Sequence, residues 1–372
     1  MRFDSCRFYF DLSVVSLFGK SRTYFFYKPN QFEKHLRLRF LMTFWLGRLT
    51  GFFLLLVSAE SFSQDIAFSQ FYNSPVQLNP ALSGTTKVSR VIFNYRNQWP
   101  SFNNAFITNA VSWDQFFSAI NGGVGVQITN DQLGAGIYSA NSVSLAYSYN
   151  IAGQDFATRF SLQGNFIQKK IDFNRLVFYD QIDPVNGFNN LQPTSETINT
   201  QQKSFVDFSA GILGYNKSTY MGLVFKHITQ PDESFTGNDN NGKLPVAITA
   251  HFGHDFKSKK NSRSKTIFSP NLLFVQQSKF KQLNVGTYLT LGNVFGGMWF
   301  RYSFNRADAL IFLAGLKKSI FKIGYSYDVS LNLLASKSGG AHELSLSLLF
   351  GAGKKGTIRR NLKLFSSCPE IF

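Results

Sequence analysis

Residues 142–149 alternate strictly: Val143, Leu145, Tyr147 and Tyr149 fall on one side of an extended chain, and Ser142, Ser144, Ala146 and Ser148 fall on the other. A period of two is the signature of a strand with one apolar face, and helical spacing gives no comparable match. Phe321, Ile323, Tyr325, Tyr327 and Val329 alternate in the same way with Lys322, Gly324, Ser326 and Asp328, and Leu344, Leu346, Leu348 and Phe350 with Ser345 and Ser347. Such segments recur near 88–97, 105–115, 122–130, 138–150, 156–169, 204–216, 218–227, 246–256, 266–277, 281–291, 295–304, 309–316, 320–329 and 342–351. Most have about 9–11 residues or slightly more, the length a tilted strand needs to cross a bilayer.

Alternating strands build either soluble sandwiches or a closed membrane barrel. A sandwich shows water a face rich in Lys and Glu, whereas here the weaker face is Ser, Gly, Asn, Thr and Gln with few charges. Composition agrees: 16% of the 372 residues are charged, 16% are aromatic with Phe 42 and Tyr 15, and mean hydropathy is −0.09. An alternating strand averages to near zero, so the fold expected is all-β, a transmembrane antiparallel barrel of about 14 strands with aromatic residues toward lipid. Loop lengths fit two unlike ends. The outer connections include about 170–203, 228–245 and 330–341, and the inner turns include Asn216-Lys217, Gly292-Asn293-Val294 and Lys317-Lys318-Ser319. The run 257–265 is long for its inner assignment. With Lys317, Lys318, Lys354, Lys355, Arg359, Arg360 and Lys363 it forms a basic periplasmic rim that suits an acidic partner or anionic lipid.

The N-terminus has a different character. Trp45 to Val57 is an apolar run preceded by Arg37, Arg39 and Arg48 and followed by Ser61-Phe62-Ser63, the layout of a secretory signal peptide over 42–63 with cleavage before Gln64. Residues 1–41 then read as an extension from an upstream start codon. The leader holds nine of the 38 Lys and Arg and four of the 21 Asp and Glu, so the remainder carries 29 against 17, a net +12. Removing it also removes Cys6 and leaves Cys368 without an intramolecular disulfide partner. Pro75 and Pro80 exclude residues 64–87 from the barrel wall; this segment either covers the periplasmic mouth or enters the lumen. The barrel is expected over 88–353 and a basic tail over 354–372.

Catalytic and ligand chemistry finds no foothold. His251 and His254, three apart on a strand, point to opposite faces and make a poor metal pair, and the neighbours His342 and Glu343 also diverge. There is no G-x-S-x-G elbow. Gly122-Gly123-Val124-Gly125 is followed by no helix pattern, so it reads as small-residue packing rather than a phosphate loop. The expectation is a non-enzyme with no cofactor or metal, and an exported location keeps it from nucleic acid despite a pI ≈ 9.8.

Specific motifs run through the chain in order: Gln64-Asp65-Ile66-Ala67-Phe68-Ser69-Gln70-Phe71-Tyr72-Asn73-Ser74-Pro75, Leu78-Asn79-Pro80-Ala81-Leu82-Ser83-Gly84 and Asn94-Tyr95-Arg96-Asn97-Gln98-Trp99-Pro100. Later come Gly296-Gly297-Met298-Trp299-Phe300-Arg301-Tyr302, Gly324-Tyr325-Ser326-Tyr327-Asp328, Ser338-Gly339-Gly340-Ala341-His342-Glu343 and Cys368-Pro369-Glu370-Ile371-Phe372. Over 64–372 the chain resembles the PorP/SprF family of the type IX secretion and gliding machinery of Bacteroidetes. The resemblance implies an outer-membrane barrel that supports export or surface attachment of cargo such as large adhesins, contacting lipid, cargo and periplasmic or lipoprotein secretion components. It singles out Phe68, Gln70, Phe71, Asn79, Pro80, Gly84, Tyr95, Arg96, Trp99, Pro100, Trp299, Arg301, Asp328, His342 and Glu343 as structural or partner-contact residues. The competing reading is an outer-membrane porin for small solutes, which needs an open lumen.

Overall fold

The computed structural model describes residues 65–350 apart from 66, 87, 103–105, 184–186, 189–200, 236–241, 259–265, 305 and 332–334. The expected leader and extension, most of the basic 257–265 run and the C-terminal tail lie outside the described residues. No helix among the described residues is long and apolar enough to cross a membrane. Strands do the crossing. β1 is Ser89–Gln98, β2 Phe106–Phe117, β3 Gly122–Leu133, β4 Tyr138–Ala152, β5 Ala157–Ile171, β6 Gln202–Tyr215 and β7 Thr219–Lys226. β8 is Ala247–His254, β9 Thr266–Gln277, β10 Phe280–Leu291, β11 Val294–Ser303, β12 Arg306–Lys318, β13 Phe321–Ser330 and β14 Ala341–Phe350. Each pairs antiparallel with its sequence neighbours, and β1 pairs with β14 from Ser89 opposite Phe350 to Gln98 opposite Ala341, which closes the barrel.

Period two places the side chains as its physics requires. In β4, Val143, Leu145, Tyr147 and Tyr149 point outward, and Ser144, Ala146 and Ser148 are buried inside. Leu162, the most outward of the large apolar β5 residues, is 70% exposed, an orientation that lipid makes favourable. The strands start and stop close to the expected positions. The 246–256 segment is the exception: it breaks at Asp255, whose N–H turns to donate to the Ser218 carbonyl at 2.7 Å, and resumes as the short strand Phe256–Lys257.

The two mouths differ. At one end the connections 172–201, 227–246 and 331–340 are long, but 278–279 and 134–137 at the same end are tight turns. We call this the long-loop mouth. At the other, short-turn mouth, β1 begins, and residues 153–156, 216–218 and 292–293 make close turns. The described ends of the 227–246 connection line the lumen: Asp232 and Lys243 form an isolated antiparallel main-chain bridge, Lys203 Nζ lies 3.1 Å from Asp232, and Lys169 pairs with Glu233.

Candidate functional site: a threaded lumen

Residues 65–86 do not rest on the short-turn mouth; they run through the barrel. Prolines break the segment into the short turns Phe71–Asn73, Pro75–Leu78 and Pro80–Leu82, and the Asn79 carboxamide oxygen accepts the Ala81 N–H at 2.9 Å to start the last one. Their apolar side chains complete a core with the wall. Phe71 meets Trp299 edge-on with centroids 4.7 Å apart, Tyr72 meets Tyr220 and Tyr288 in the same way, and Leu78, Ala81 and Leu82 join Leu213, Ile311 and Leu313. The direction of travel follows from the partners. Asp65 binds His227 and Gln277 at the long-loop mouth, whereas Gly84 binds Asp114 at the short-turn mouth.

Three polar clamps hold the segment along this path. The lowest is at Ser83 and Gly84. Arg159 donates to their carbonyls at 2.6 and 3.0 Å, Ser148 donates to the Ser83 carbonyl at 2.8 Å, and Asp114, paired with Arg90 at 2.8 Å, accepts the Gly84 N–H at 2.7 Å. This approach needs glycine on both sides: Gly84 has φ +69°, and a Cβ on Gly123 would fall on the Ser83 carbonyl oxygen.

The middle clamp is ionic. Arg96 lies 3.1 Å from both Asp328 and Glu343, and Arg301 lies 3.2 Å from Asp328, two cations against two carboxylates with almost no exposure. Glu343 also accepts the Ser69 and Gln70 N–H groups at 2.7 and 2.9 Å, and the Ser69 hydroxyl receives Arg96 and Arg301 at 2.6 and 2.8 Å. Charge-assisted bonds of this kind fix geometry as well as energy.

The upper clamp is His227, which follows β7 and stands between two carboxylates. Its Nδ1 is 2.9 Å from Asp207 and its Nε2 is 2.9 Å from Asp65. Burial disfavours the charged imidazole, but the bonds and charges of Asp207 and Asp65 outweigh it and push the pKa up from 6.5 to about 9. Burial also works against the Asp65 carboxylate, yet the His227 bond and charge, the Lys226 charge and the Gln277 amide hold it down from 3.8 to about 2. The His227 contribution is therefore complete below pH 6.5 and lost as pH rises through about 9, and that of Asp65 is complete above 3.8 and lost as pH falls through about 2. The thermal midpoint of the wild-type barrel is accordingly expected to exceed that of His227→Gln most between pH 4 and 6.5 and to converge with it above pH 9, as read by heat-modifiable gel mobility. A gap constant with pH would remove this account of the clamp.

Above the threaded segment a cavity of ≈ 840 Å³ opens toward the long-loop mouth. Its belly is amide and hydroxyl, with Gln77, Gln127, Thr129, Ser144, Gln163 and Asn165; its rim is apolar, with Trp99, Phe106, Leu133 and Phe235. Among the described residues no group of His, Cys, Asp and Glu could hold a metal ion.

The fifteen motif residues do not form one site. Arg96, Arg301, Asp328 and Glu343 meet in the middle clamp with Gln70, and Phe71 packs on Trp299. Phe68, Asn79, Pro80 and Gly84 are buried along the threaded segment, with Asn79 donating to His251 Nε2 at 3.0 Å. Trp99 stands at the cavity rim. Tyr95 and Pro100 are exposed, and His342 Nδ1 lies 2.7 Å from the Tyr325 hydroxyl, so these three stay apart from the lumenal cluster. The fifteen residues do not include Asp65 and Ser69, which lie in the first motif, nor Arg90, Asp114, Arg159, Asp207 and His227, although charged residues at lumen-facing parity mark Arg90, Asp114, Arg159 and Asp207.

A family model described as type IX secretion system membrane protein PorP/SprF matches residues 60–348. No curated protein matches the sequence. Among solved structures, Omp33 from Acinetobacter baumannii is 8% identical with a TM-score of 0.42, over 72% of this chain and 100% of that one. CdiB from the same organism is 9% identical with a TM-score of 0.35, over 71% of this chain and 60% of its own. A porin variant from Rhodopseudomonas blastica is 6% identical with a TM-score of 0.32, over 71% and 99%.

Proposed function

The chain belongs to the PorP/SprF family of type IX secretion system membrane proteins, and from that premise we propose that it is a non-enzymatic outer-membrane accessory that binds secretion cargo, adhesin-like in kind, or subunits of the secretion complex. On this reading residues 42–63 direct export, 64–87 form a lumenal plug, 88–353 form the barrel and 354–372 form a basic tail. The long loops face outward and the basic periplasmic rim meets lipoprotein components. A role in gliding follows where the cargo is a motility adhesin.

One observation carries the choice over a porin: the chain's own residues 65–86 thread the lumen and are clamped at three levels, so the wall is built around a plug. Affinity purification from native membranes tests the reading. A cell-surface adhesin or a periplasmic lipoprotein of the secretion machinery is expected to co-purify in amounts comparable to the barrel. Recovery of the barrel with lipid alone would overturn it.

A further inference from the structure

We propose that the cavity above the plug is a binding site for an extended, mainly uncharged polypeptide segment of a secretion partner, entering from the long-loop mouth. The inference deepens the cargo-binding reading and rests on it. Four observations carry it.

The first is size and shape. A cavity of ≈ 840 Å³ lies in the upper part of the roughly 300–1,000 Å³ range of ligand pockets, and it is floored by Gln77 of the threaded segment, whose Oε1 accepts from Gln127 at 3.2 Å. The second is charge. Most ions of the lining have a partner of opposite sign within the protein: Asp65 and Asp207 share His227, Arg96 and Arg301 face Asp328 and Glu343, and Lys169 pairs with Glu233, while Asp131, Lys226 and Asp308 add charges of both signs. Between these charges lies a continuous band of carboxamides and hydroxyls, Gln127, Thr129, Ser142, Ser144, Gln163 and Asn165, contributed by three adjacent strands.

The third is that the barrel already binds polypeptide in this way. Lower in the same lumen, inward carboxylates take main-chain N–H groups of Ser69, Gln70 and Gly84, and Arg159 and Ser148 take main-chain carbonyls of Ser83 and Gly84. Side chains projecting from the wall read the backbone of an irregular chain, and an extended segment above the plug meets the same kind of surface. The fourth is strain at the rim. Trp99 and His227, both in the lining, hold φ of +57°, a conformation rare for side-chain-bearing residues. Trp99 is fixed there by its N–H to the Gly340 carbonyl at 2.7 Å and by an edge contact with Phe106 at 5.2 Å. A rigid indole at the mouth of a polar cavity is placed to pack on an incoming side chain. A glycan could use the same rim and amides, but only a polypeptide has a precedent in this lumen.

The experiment uses the full-length protein in its native membrane. A photo-crosslinking residue is placed at Gln163, in the cavity, and at its neighbour Leu162, on the lipid face, and Ser142→Trp and Leu162→Trp are purified beside wild type. Heat-modifiable mobility confirms that each variant is folded. A protease-sensitive adduct at position 163 and not at 162 is expected, together with a fall on the order of tenfold in the co-purified secretion partner for Ser142→Trp but not for Leu162→Trp. Wild-type recovery of the partner with Ser142→Trp, or an adduct at 163 that survives protease and is removed by glycosidase, overturns this inference and leaves the cargo-binding reading standing. Absence of any partner from wild type removes that reading and this one together.

Discussion

Replacing Glu343 with alanine is expected to lower the stability of the folded barrel by about 3–5 kcal/mol, the cost of breaking a buried ion pair from one side. Glu343 is 1% exposed and does two jobs at once. It balances Arg96 in a cluster that holds two cations and two carboxylates, and it accepts the N–H groups of Ser69 and Gln70. The alanine variant leaves the cluster with excess positive charge and two main-chain donors without their acceptor, each a desolvation loss of about 1–3 kcal/mol where water does not replace it. Glu343→Gln keeps an acceptor oxygen for one of the two donors, so its loss is expected to be smaller than that of alanine. Arg96→Met combined with Glu343→Ala restores charge balance and should be less destabilised than the sum of the single changes. Urea titration of heat-modifiable mobility, run as a double-mutant cycle, measures all four. Additive single effects would show that the two side chains act independently and that the clamp is not a unit.

The barrel and its plug differ in how far the sequence discloses them. The wall is readable because a strand's facing depends only on parity: once Val143, Leu145 and Tyr147 are taken to face lipid, Ser144 and Ser148 must face the lumen, and pairing with the next strand adds nothing that could reverse it. Even the break at Asp255 leaves that parity intact on both sides. The threaded segment has no period. Pro75 and Pro80 rule out a ladder strand, yet the choice between covering a mouth and filling the lumen is made by contacts across great sequence separation, such as Ser69 to Glu343, 274 positions apart, and Asp65 to His227, 162 apart. The direction of threading is equally hidden, because an irregular chain carries no signal for which end lies deeper. The motifs mark Arg96, Asp328 and Glu343 without saying that they converge; Asp65 lies in the first motif with nothing to tie it to His227, a single histidine in a loop with no pattern of its own.

Expelling the plug's lower end is expected to convert a closed barrel into a conducting one. Gly123 on β3 has no side chain because the Ser83 carbonyl occupies that position, and Gly125, two residues on, faces the Ser83 hydroxyl and Val76. Gly123→Val therefore forces Ser83 and Gly84 away from the wall. Arg159 then loses both carbonyl partners and Asp114 loses the Gly84 N–H, so the clamp fails as a group rather than by one bond. The wall itself tolerates valine, a good strand former, and overpacking of this kind costs about 1–3 kcal/mol, within what a closed barrel withstands. Eight-stranded barrels are filled by their own side chains and those with 16–18 strands hold water channels, so a barrel of fourteen relieved of its plug has room for ions. In planar bilayers the wild-type protein is expected to give no sustained openings and Gly123→Val discrete ones, with protease cleavage near residues 83–86 rising in parallel. Sustained large conductance in wild type would show that the threaded segment does not close the lumen and would favour the porin. A silent Gly123→Val barrel that also resists protease at that site would show that the segment is held without its lowest clamp.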